Sequence, residues 1–418
     1  MNLETAEYIR VGTTFYALVE RPTISNSTEK VMIPWSKETI TNDLGKEFLL
    51  QVKKFFSFIC IPSHLSYSRE IKNFYNIYHP LDYQIDTESQ IDIKVLEKKL
   101  KYTFIHLRHI FGEEQFYLGL DYIKILLEKP TQILPILALV SNERETGKSL
   151  FLKFLRKIFS FNATYTFAET FLNNFNADTY GKLLLLVEET KSDNIQFVEK
   201  LKYLSTADKN TFEKKGQDRQ EGDSFIKILI TSNFETSFVK ISPDETRFWV
   251  RKIPSIIKDP EFESKLFQEI PDFLNYLVRI PYSTKRQTRM WFTPEQIRTQ
   301  ALLNLMNNEN DSTKYKVFEI LREIHENFDI DRICVAPKEL ALISRKIHNR
   351  GYITINEARN VLKSFGFEPS RNSYKYIGYD YLSHGEFVSI DRVGRYYTVD
   401  FPQIAVFFDE NDEENITI

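Results

Sequence analysis

The chain has 418 residues, which at ~150 residues per domain allows about three domains, and its 42% apolar and 27% charged residues supply ample core material. With 13 Gly, 15 Pro and two Cys, collagen-like, low-complexity and disulfide-scaffold chains are excluded. Lys+Arg at 55 against Asp+Glu at 58 gives a net charge of −3, which excludes a wholesale basic coat and leaves room for a local basic loop.

The N-terminal stretch mixes strand-like runs (Tyr8–Val11, Thr14–Val19) with a helical pattern from Glu47 to Phe58. From Ile93 to Leu127 the apolar spacing is helical, broken near Phe111-Gly112 and stopping before Pro130. Ile133 to about Pro254 alternates short apolar strands with amphipathic helices, the pattern of a parallel sheet wrapped by helices. Glu261–Leu277 and Pro294–Asn307 read as further helices, and the polar run Asn307–Thr313 reads as a linker. Beyond it, helices are expected over Val317–Phe328, Lys338–Arg345 and Ile355–Phe365, the last closed by Gly366. A hairpin of Phe387–Ile390 with Tyr396–Val399 follows, and helices followed by a hairpin suggest a winged helix. The tail from Asp409 to Glu414 is acidic.

Cys60 and Cys334 stand without a Cys-x-x-Cys or Cys/His cluster, so no structural zinc is expected and a reducing compartment is. The N-terminus lacks a basic-then-apolar signal, and the runs 133–140 and 183–187 fall short of the ~20 residues a membrane helix needs. A soluble, cytoplasmic protein is the expectation.

The sharpest motif is Ser141-Asn142-Glu-Arg-Glu145-Thr146-Gly147-Lys148-Ser149, set between an apolar strand and an amphipathic helix. A phosphate cradle needs a tight loop of inward backbone N–H groups at a helix N-terminus. Lys148 would reach the β/γ-phosphates of a nucleotide and Ser149 would ligate Mg²⁺. Asn142 stands where the first glycine is usual, and Asn tolerates left-handed backbone. A plain helix-capping turn is the competing reading of Gly147-Lys148-Ser149. Further on, Leu183–Val187 ends in Glu188-Glu189, two carboxylates at the end of a buried strand. Glu188 would help hold Mg²⁺, and Glu189 would orient or deprotonate an attacking water. A third strand, Ile226–Asn233, ends in Ser232-Asn233, whose amide can hydrogen-bond a phosphate or that water. Arg247 then follows, an arginine for a neighbouring subunit's phosphate, with Arg251 as the alternative.

Phosphate loop, double-acid strand, Asn-ended strand and Arg segment together resemble the superfamily 3 helicases, and look closest to the phage and plasmid primase-associated helicases related to the poxvirus type. The likeness covers roughly residues 100–300 and includes Phe116–Ile123 and Arg289–Phe292. It implies a P-loop AAA+-like three-layer core, and with the pattern readings the expectation is an α/β chain in which a helical N-terminal segment precedes that core and a C-terminal winged-helix-like domain follows it. The boundaries would be 1–100, 101–306 (core with helical lid), 312–402 and an acidic tail at 403–418. It implies an ATP- and Mg²⁺-dependent DNA helicase of phage- or plasmid-type replication, forming a ring, commonly a hexamer, that moves on single-stranded DNA. The cytoplasm would be the bacterial host's if the chain is phage-encoded. Lys148 and Ser149 match the family's phosphate-loop pair, Glu188 and Glu189 its acidic pair, Asn233 its sensor, and Arg247 its arginine finger. Glu188 stands where many relatives carry Asp.

Lys214-Lys215, with Phe212 beside them, lie in the interval that carries the family's pore hairpin, and lysines with an aromatic suit phosphate contact and base stacking. A solvated basic loop is the plainer reading. No Asp-x-Asp primase motif is evident; Asp82 and Asp121 stand alone, and His106 and His109 lie on a helical segment where structural roles are commoner. A helicase without its own primase, partnered by a separate primase or polymerase, is therefore expected. Two other readings stay open: an AAA+-type ATPase that remodels protein or acts as a nucleotide switch, and a DNA-binding replication protein with a vestigial ATPase. In the last, Asn356–Lys363 and the Arg392/Arg395 hairpin would bind DNA.

Overall fold

The computed structural model describes residues 7–404 apart from 23, 25–27, 90, 172–178, 189–193, 213–219, 243–244, 257–258, 349–351 and 383–384. By its contacts the chain divides into two units: Met1–Glu189, Lys200–Thr231 and Arg247–Ile297 form the first, and Thr190–Glu199, Ser232–Thr246 and Arg298–Ile418 the second.

The first unit begins with β1 (Glu7–Val11), β2 (Thr14–Pro22) and β3 (Thr28–Trp35), joined as an antiparallel meander. Helix α1 (Lys37–Leu44) starts where the Ser36 hydroxyl accepts the amides of Glu38 and Thr39. The expected helix over Glu47–Phe58 is cut to α2 (Phe48–Gln51), followed by β4 (Lys53–Phe55) parallel to β1. Tertiary pairing wins there: Phe55 is buried beside Ile9, Val11 and Tyr75, a position that a continued helix could not supply. Short strands β5 (Phe58–Ile59), β6 (Glu70–Ile71) and β7 (Phe74–Asn76) form a second small sheet. Helix α3 (Ile93–Lys99) leads into α4 (Lys101–Glu128), two helical segments that meet at Gly112, whose φ of 67° and ψ of 168° break the helix where the sequence expects it.

The centre is a five-stranded sheet of β8 (Ile136–Val140), β9 (Ala163–Phe167), β10 (Leu184–Glu188), β13 (Lys227–Ser232) and β14 (Phe248–Lys252). Its order is β14-β8-β13-β10-β9, with parallel pairing, and the antiparallel hairpin β11 (Lys209–Phe212)–β12 (Gln220–Asp223) stands apart. Every residue of β8 and β13 is buried, as is β10 up to Val187; β8 and β10 accordingly read as unbroken apolar runs, whereas β13 carries an apolar centre, Ile228–Ile230, between a buried Lys227 and buried Thr231-Ser232. Helices α5 (Lys148–Phe159), α6 (Ala168–Phe171), α7 (Ile195–Thr206), α8 (Phe262–Gln268), α9 (Ile270–Leu277) and α10 (Pro294–Ile297) complete the central stretch. The core of the first unit joins Ile110 and Phe111 of α4, Leu137 and Leu139 of β8, Phe151 and Leu155 of α5, and Trp249 of β14.

In the second unit α11 runs unbroken from Gln300 to Phe328. The expected linker 307–313 is therefore helix. Its residues have modest helix propensity, but none is Gly or Pro, and a helix already nucleated on either side extends through them. Strand β15 (Arg332–Val335) and helices α12 (Pro337–Ile347) and α13 (Ile355–Ser364) follow, α13 opened by a reciprocal Thr354/Glu357 capping box. The hairpin is not the expected one. Residues 387–394 form one strand, β17, that pairs with β16 (Tyr374–Tyr381) through Tyr381↔Phe387, while β18 (Tyr397–Asp400) returns to pair with β15. The Leu382 amide donates to the Glu386 carbonyl and the Gly385 amide to the Leu382 carbonyl, with Gly385 at φ 92°, while Asp391–Gly394, the turn-prone run between the two expected strands, is itself strand. Val317, Leu321, Ile333, Leu340, Leu362 and Val399 share this unit's core. Among the described residues no helix is long and apolar enough to cross a membrane.

Candidate functional site

Between Val140 and Lys148 the chain leaves a buried strand and enters a helix within seven residues, so its backbone polar groups need partners in the loop itself. Two residues of this loop are left-handed, Glu145 at φ 57° and Gly147 at φ 89°. Glycine takes that backbone without steric penalty, whereas a glutamate costs roughly 1–2 kcal/mol. Left-handed residues of this kind turn successive N–H groups toward one side, the geometry of an anion-binding nest. Asn142, expected to be the left-handed residue, is not among those with positive φ; the sharp reversal falls three residues later, where the loop must turn into α5. No sequence preference points to Glu145.

Lys148, the first residue of α5, is buried, and its ammonium donates to the carbonyls of Ser141 (3.4 Å) and Glu143 (3.1 Å) and to the Thr146 hydroxyl (3.2 Å). Loop oxygens thus help to hold this buried ammonium, and an anion entering the loop could take their place. Ser149 is exposed, and the first turn of α5 has no acidic residue to oppose the positive end of the helix dipole.

Sequence reasoning passed over the next contact. His109 on α4 places Nε2 2.8 Å from the Thr146 carbonyl oxygen. Three residues before it, His106 is fully buried among Phe151, Phe154 and Phe262, and burial holds its pKa down at about 3, with the nearby His109 adding to the effect. His106 is thus a neutral core residue, and its neighbour touches the loop.

Glu188 closes β10, half-buried, and lines a concavity of about 580 Å³ with Lys153, Arg156, Tyr165 and Glu263. This is the α5 side of the sheet. One strand, β13, separates β10 from β8, so their ends lie about 10 Å apart at strand spacing. Asn233 follows directly on Ser232, the last residue of β13, and the Phe234 amide turns back onto the Ser232 hydroxyl (3.1 Å). Glu189, Lys214 and Lys215 lie outside the described residues.

The two arginines part company. The Arg247 carbonyl accepts from Ile136, the first residue of β8, so Arg247 stands at the end of the sheet opposite the phosphate loop, about 13 Å of strand away. Arg251 is committed within its own chain: Nη1 donates to Glu114 and Gln115 (both 2.8 Å) and Nε to the Ile110 carbonyl (3.3 Å). Gln115 also accepts from the buried Trp249 indole (2.9 Å), which ties β14 to α4.

Among the described residues no group of three or more His, Cys, Asp or Glu could hold a metal ion. The Ser149 hydroxyl and the Glu188 carboxylate are hard oxygen donors, a pair that fits an ion keeping most of its ligands as water and phosphate, as Mg²⁺ does.

Residues 139–251, which run from β8 to β14, match a family of unknown function (DUF5906). The fold is similar to solved structures of the C-terminal region of NrS-1. The apo structure of its residues 305–718 has a TM-score of 0.56 at 13% identity, covering 95% of this chain and 96% of that one. An A-form apo structure of the same region gives 0.54 at 14% identity, covering 95% and 97%. No curated protein matches. At that identity the likeness is one of fold, and it extends over nearly the whole chain, across both units.

Proposed function

We propose that the chain is an ATP-driven helicase that assembles as a ring, a hexamer, and translocates on single-stranded DNA in phage- or plasmid-type replication, with a separate primase or polymerase as its partner. The observation that carries this reading is the loop 141–148, with its left-handed Glu145 and Gly147 and its clasped Lys148, at the carboxyl edge of a parallel sheet. Open α/β sheets bind ligands at that edge, where the strand order reverses. Here the reversal is at β8, whose neighbours are β13 and β14, so the ends of β8, β13 and β10 supply the loop, Asn233 and Glu188 from contiguous strands. An AAA+-like core is the reading this order favours. A winged helix is the reading favoured by the succession helix, strand, helix, helix, hairpin, strand from α11 to β18.

In this mechanism Lys148 exchanges its loop oxygens for phosphate oxygens, and the amides around Gly147 cradle the same group. Ser149 and Glu188 would hold Mg²⁺, which would supply positive charge beside the phosphates. Glu189 orients the attacking water and Asn233 hydrogen-bonds it or the γ-phosphate. Arg247 cannot serve its own loop from the far end of β14, which suits action on a neighbouring subunit. Arg251, engaged by Glu114 and Gln115, is the weaker choice.

Turnover by Lys148→Ala tests the reading. ATP hydrolysis and strand separation should both fall at least a hundredfold with folding intact; a variant that hydrolyses ATP like the wild type overturns it. The alternative in which the second unit does the work by binding DNA draws on α13, where Asn356, Arg359, Asn360 and Lys363 are exposed. The hairpin lends less: Arg392 is paired with Glu339 (3.2 Å) and Arg395 donates to the Ser370 carbonyl (2.8 Å). A protein that binds duplex DNA equally well with and without Lys148 and hydrolyses no ATP would favour that alternative.

A further inference from the structure

The contact between α4 and the phosphate loop sits at the peptide that a bound phosphate would meet first. A carbonyl oxygen only accepts, so the 2.8 Å contact fixes the proton of His109 on Nε2. No described peptide bond is cis, and in a trans peptide C=O and N–H point in opposite directions. With the Thr146 carbonyl drawn toward α4, the Gly147 N–H is aimed away from α4. The His109 ring also packs on Gly147 itself, 3.6–3.7 Å from where a Cβ would stand, and the Thr146 hydroxyl accepts from Lys148. One residue, Thr146, thus joins His109 on one side to the phosphate-binding lysine on the other.

We infer that His109 is a positioning residue for the phosphate loop, holding the Thr146–Gly147 peptide in the orientation that presents the Gly147 amide to a nucleoside triphosphate. The inference rests on the nucleotide-binding reading of this loop. Without the donor, a left-handed glycine permits the peptide to flip, and a carbonyl oxygen then faces the phosphate in place of an N–H. His109 stays in place independently of ligand, because α4 is anchored one turn earlier by the buried His106.

The test measures the dissociation constant of a non-hydrolysable ATP analogue with Mg²⁺, together with kcat and KM for ATP, in the full chain and two variants. His109→Phe keeps a ring and loses the donor; His109→Gln keeps a donor at similar reach. Loss of one hydrogen bond of this kind predicts about a tenfold rise in Kd and KM for His109→Phe, with kcat at saturation within twofold and Tm unchanged. His109→Gln should recover affinity to within about threefold. If His109→Phe does not fold, His109→Leu takes its place in the comparison. A donor-less variant that binds like the wild type overturns the inference and leaves the nucleotide reading standing. Equal loss in His109→Gln, or a loss that follows Tm, marks a merely structural histidine and also overturns it. A wild-type chain that does not bind the analogue refutes the nucleotide reading itself.

Discussion

Lys227 begins β13 with its side chain fully buried, its ammonium donating to the carbonyls of Pro130 and Phe225, and with no carboxylate among those partners. Burial pushes its pKa down from the ordinary 10.5 to about 7. The unfolded chain then binds a proton that the folded chain rejects between those two values, so stability rises with pH across that window. The cost of burying this lysine is on the order of 4 kcal/mol at pH 7 and about 3 kcal/mol at pH 8.5, a gain on the order of 1–2 kcal/mol. The window stops at pH 8.5 because burial holds the Cys60 thiol up at about 12, a group whose titration lowers stability at higher pH. His64, which burial holds down at about 4 with Lys227 contributing, titrates well below the window. In Lys227→Met the two carbonyls lose their donor at every pH, so the titration shows only as the change of the wild-type-to-variant gap with pH. Trp35, Trp249 and Trp291 all belong to the first unit, so tryptophan fluorescence in a urea titration reports on that unit alone. The wild type should gain on the order of 1–2 kcal/mol on the variant between pH 7 and 8.5. A gap that does not widen with pH would refute the reasoning. Lys227→Gln, which keeps a donor, serves if the methionine variant does not fold.

Gly112 offers a second test. Its φ of 67° and ψ of 168° and the 83° and 161° of Gly45 lie in the same glycine-only region, and a Cβ at Gly112 would meet only the ends of the Glu114 and Arg251 side chains, which can shift. Gly112→Ala and Gly45→Ala should therefore each cost about 1–3 kcal/mol in the same urea assay; a variant as stable as the wild type would count against strain at that position. If Arg247 acts on a neighbouring subunit, mixing Lys148→Ala with Arg247→Ala chains should restore ATPase at the interfaces that pair one intact loop with one intact arginine. Absence of any recovery in demonstrably mixed oligomers counts against that role. Replacing Lys214 and Lys215 with alanine should abolish stimulation of ATPase by single-stranded DNA and spare the basal rate, and unchanged stimulation would sink the pore assignment.

Much of the candidate site's architecture is legible in the chain because its signals are local. Buried parallel strands are apolar along most of their length, which marks Ile136–Val140 and Leu184–Val187 directly and Lys227–Ser232 by its centre, Ile228–Ile230. The break at Gly112 and the stop after α13 at Gly366, with φ of 67° and 82°, follow from the one residue that takes such backbone freely. Gly147-Lys148-Ser149 locates the loop for the same reason.

Tertiary structure decided what depends on partners far away in sequence. Residues 387–394 became one strand because residues 374–381 pair with them, and residues 53–55 became a strand because β1 was there to receive them. A polar stretch at 307–313 became helix because helix already flanked it. The left-handed Glu145 and the His109 contact left no trace in sequence: one goes against its residue's preference, and the other joins positions 37 residues apart. Arg247 and Arg251 are alike as residues and four positions apart, one just before β14 and one within it. Only the sheet register, with Arg247 at the start of β8, and the packing of α4, with Glu114 and Gln115 at Arg251, separate an arginine turned away from its own loop from one fastened within its own chain. Local preference writes strands, caps and turns into a sequence; which side chain meets which is written by the pairing of segments distant along it.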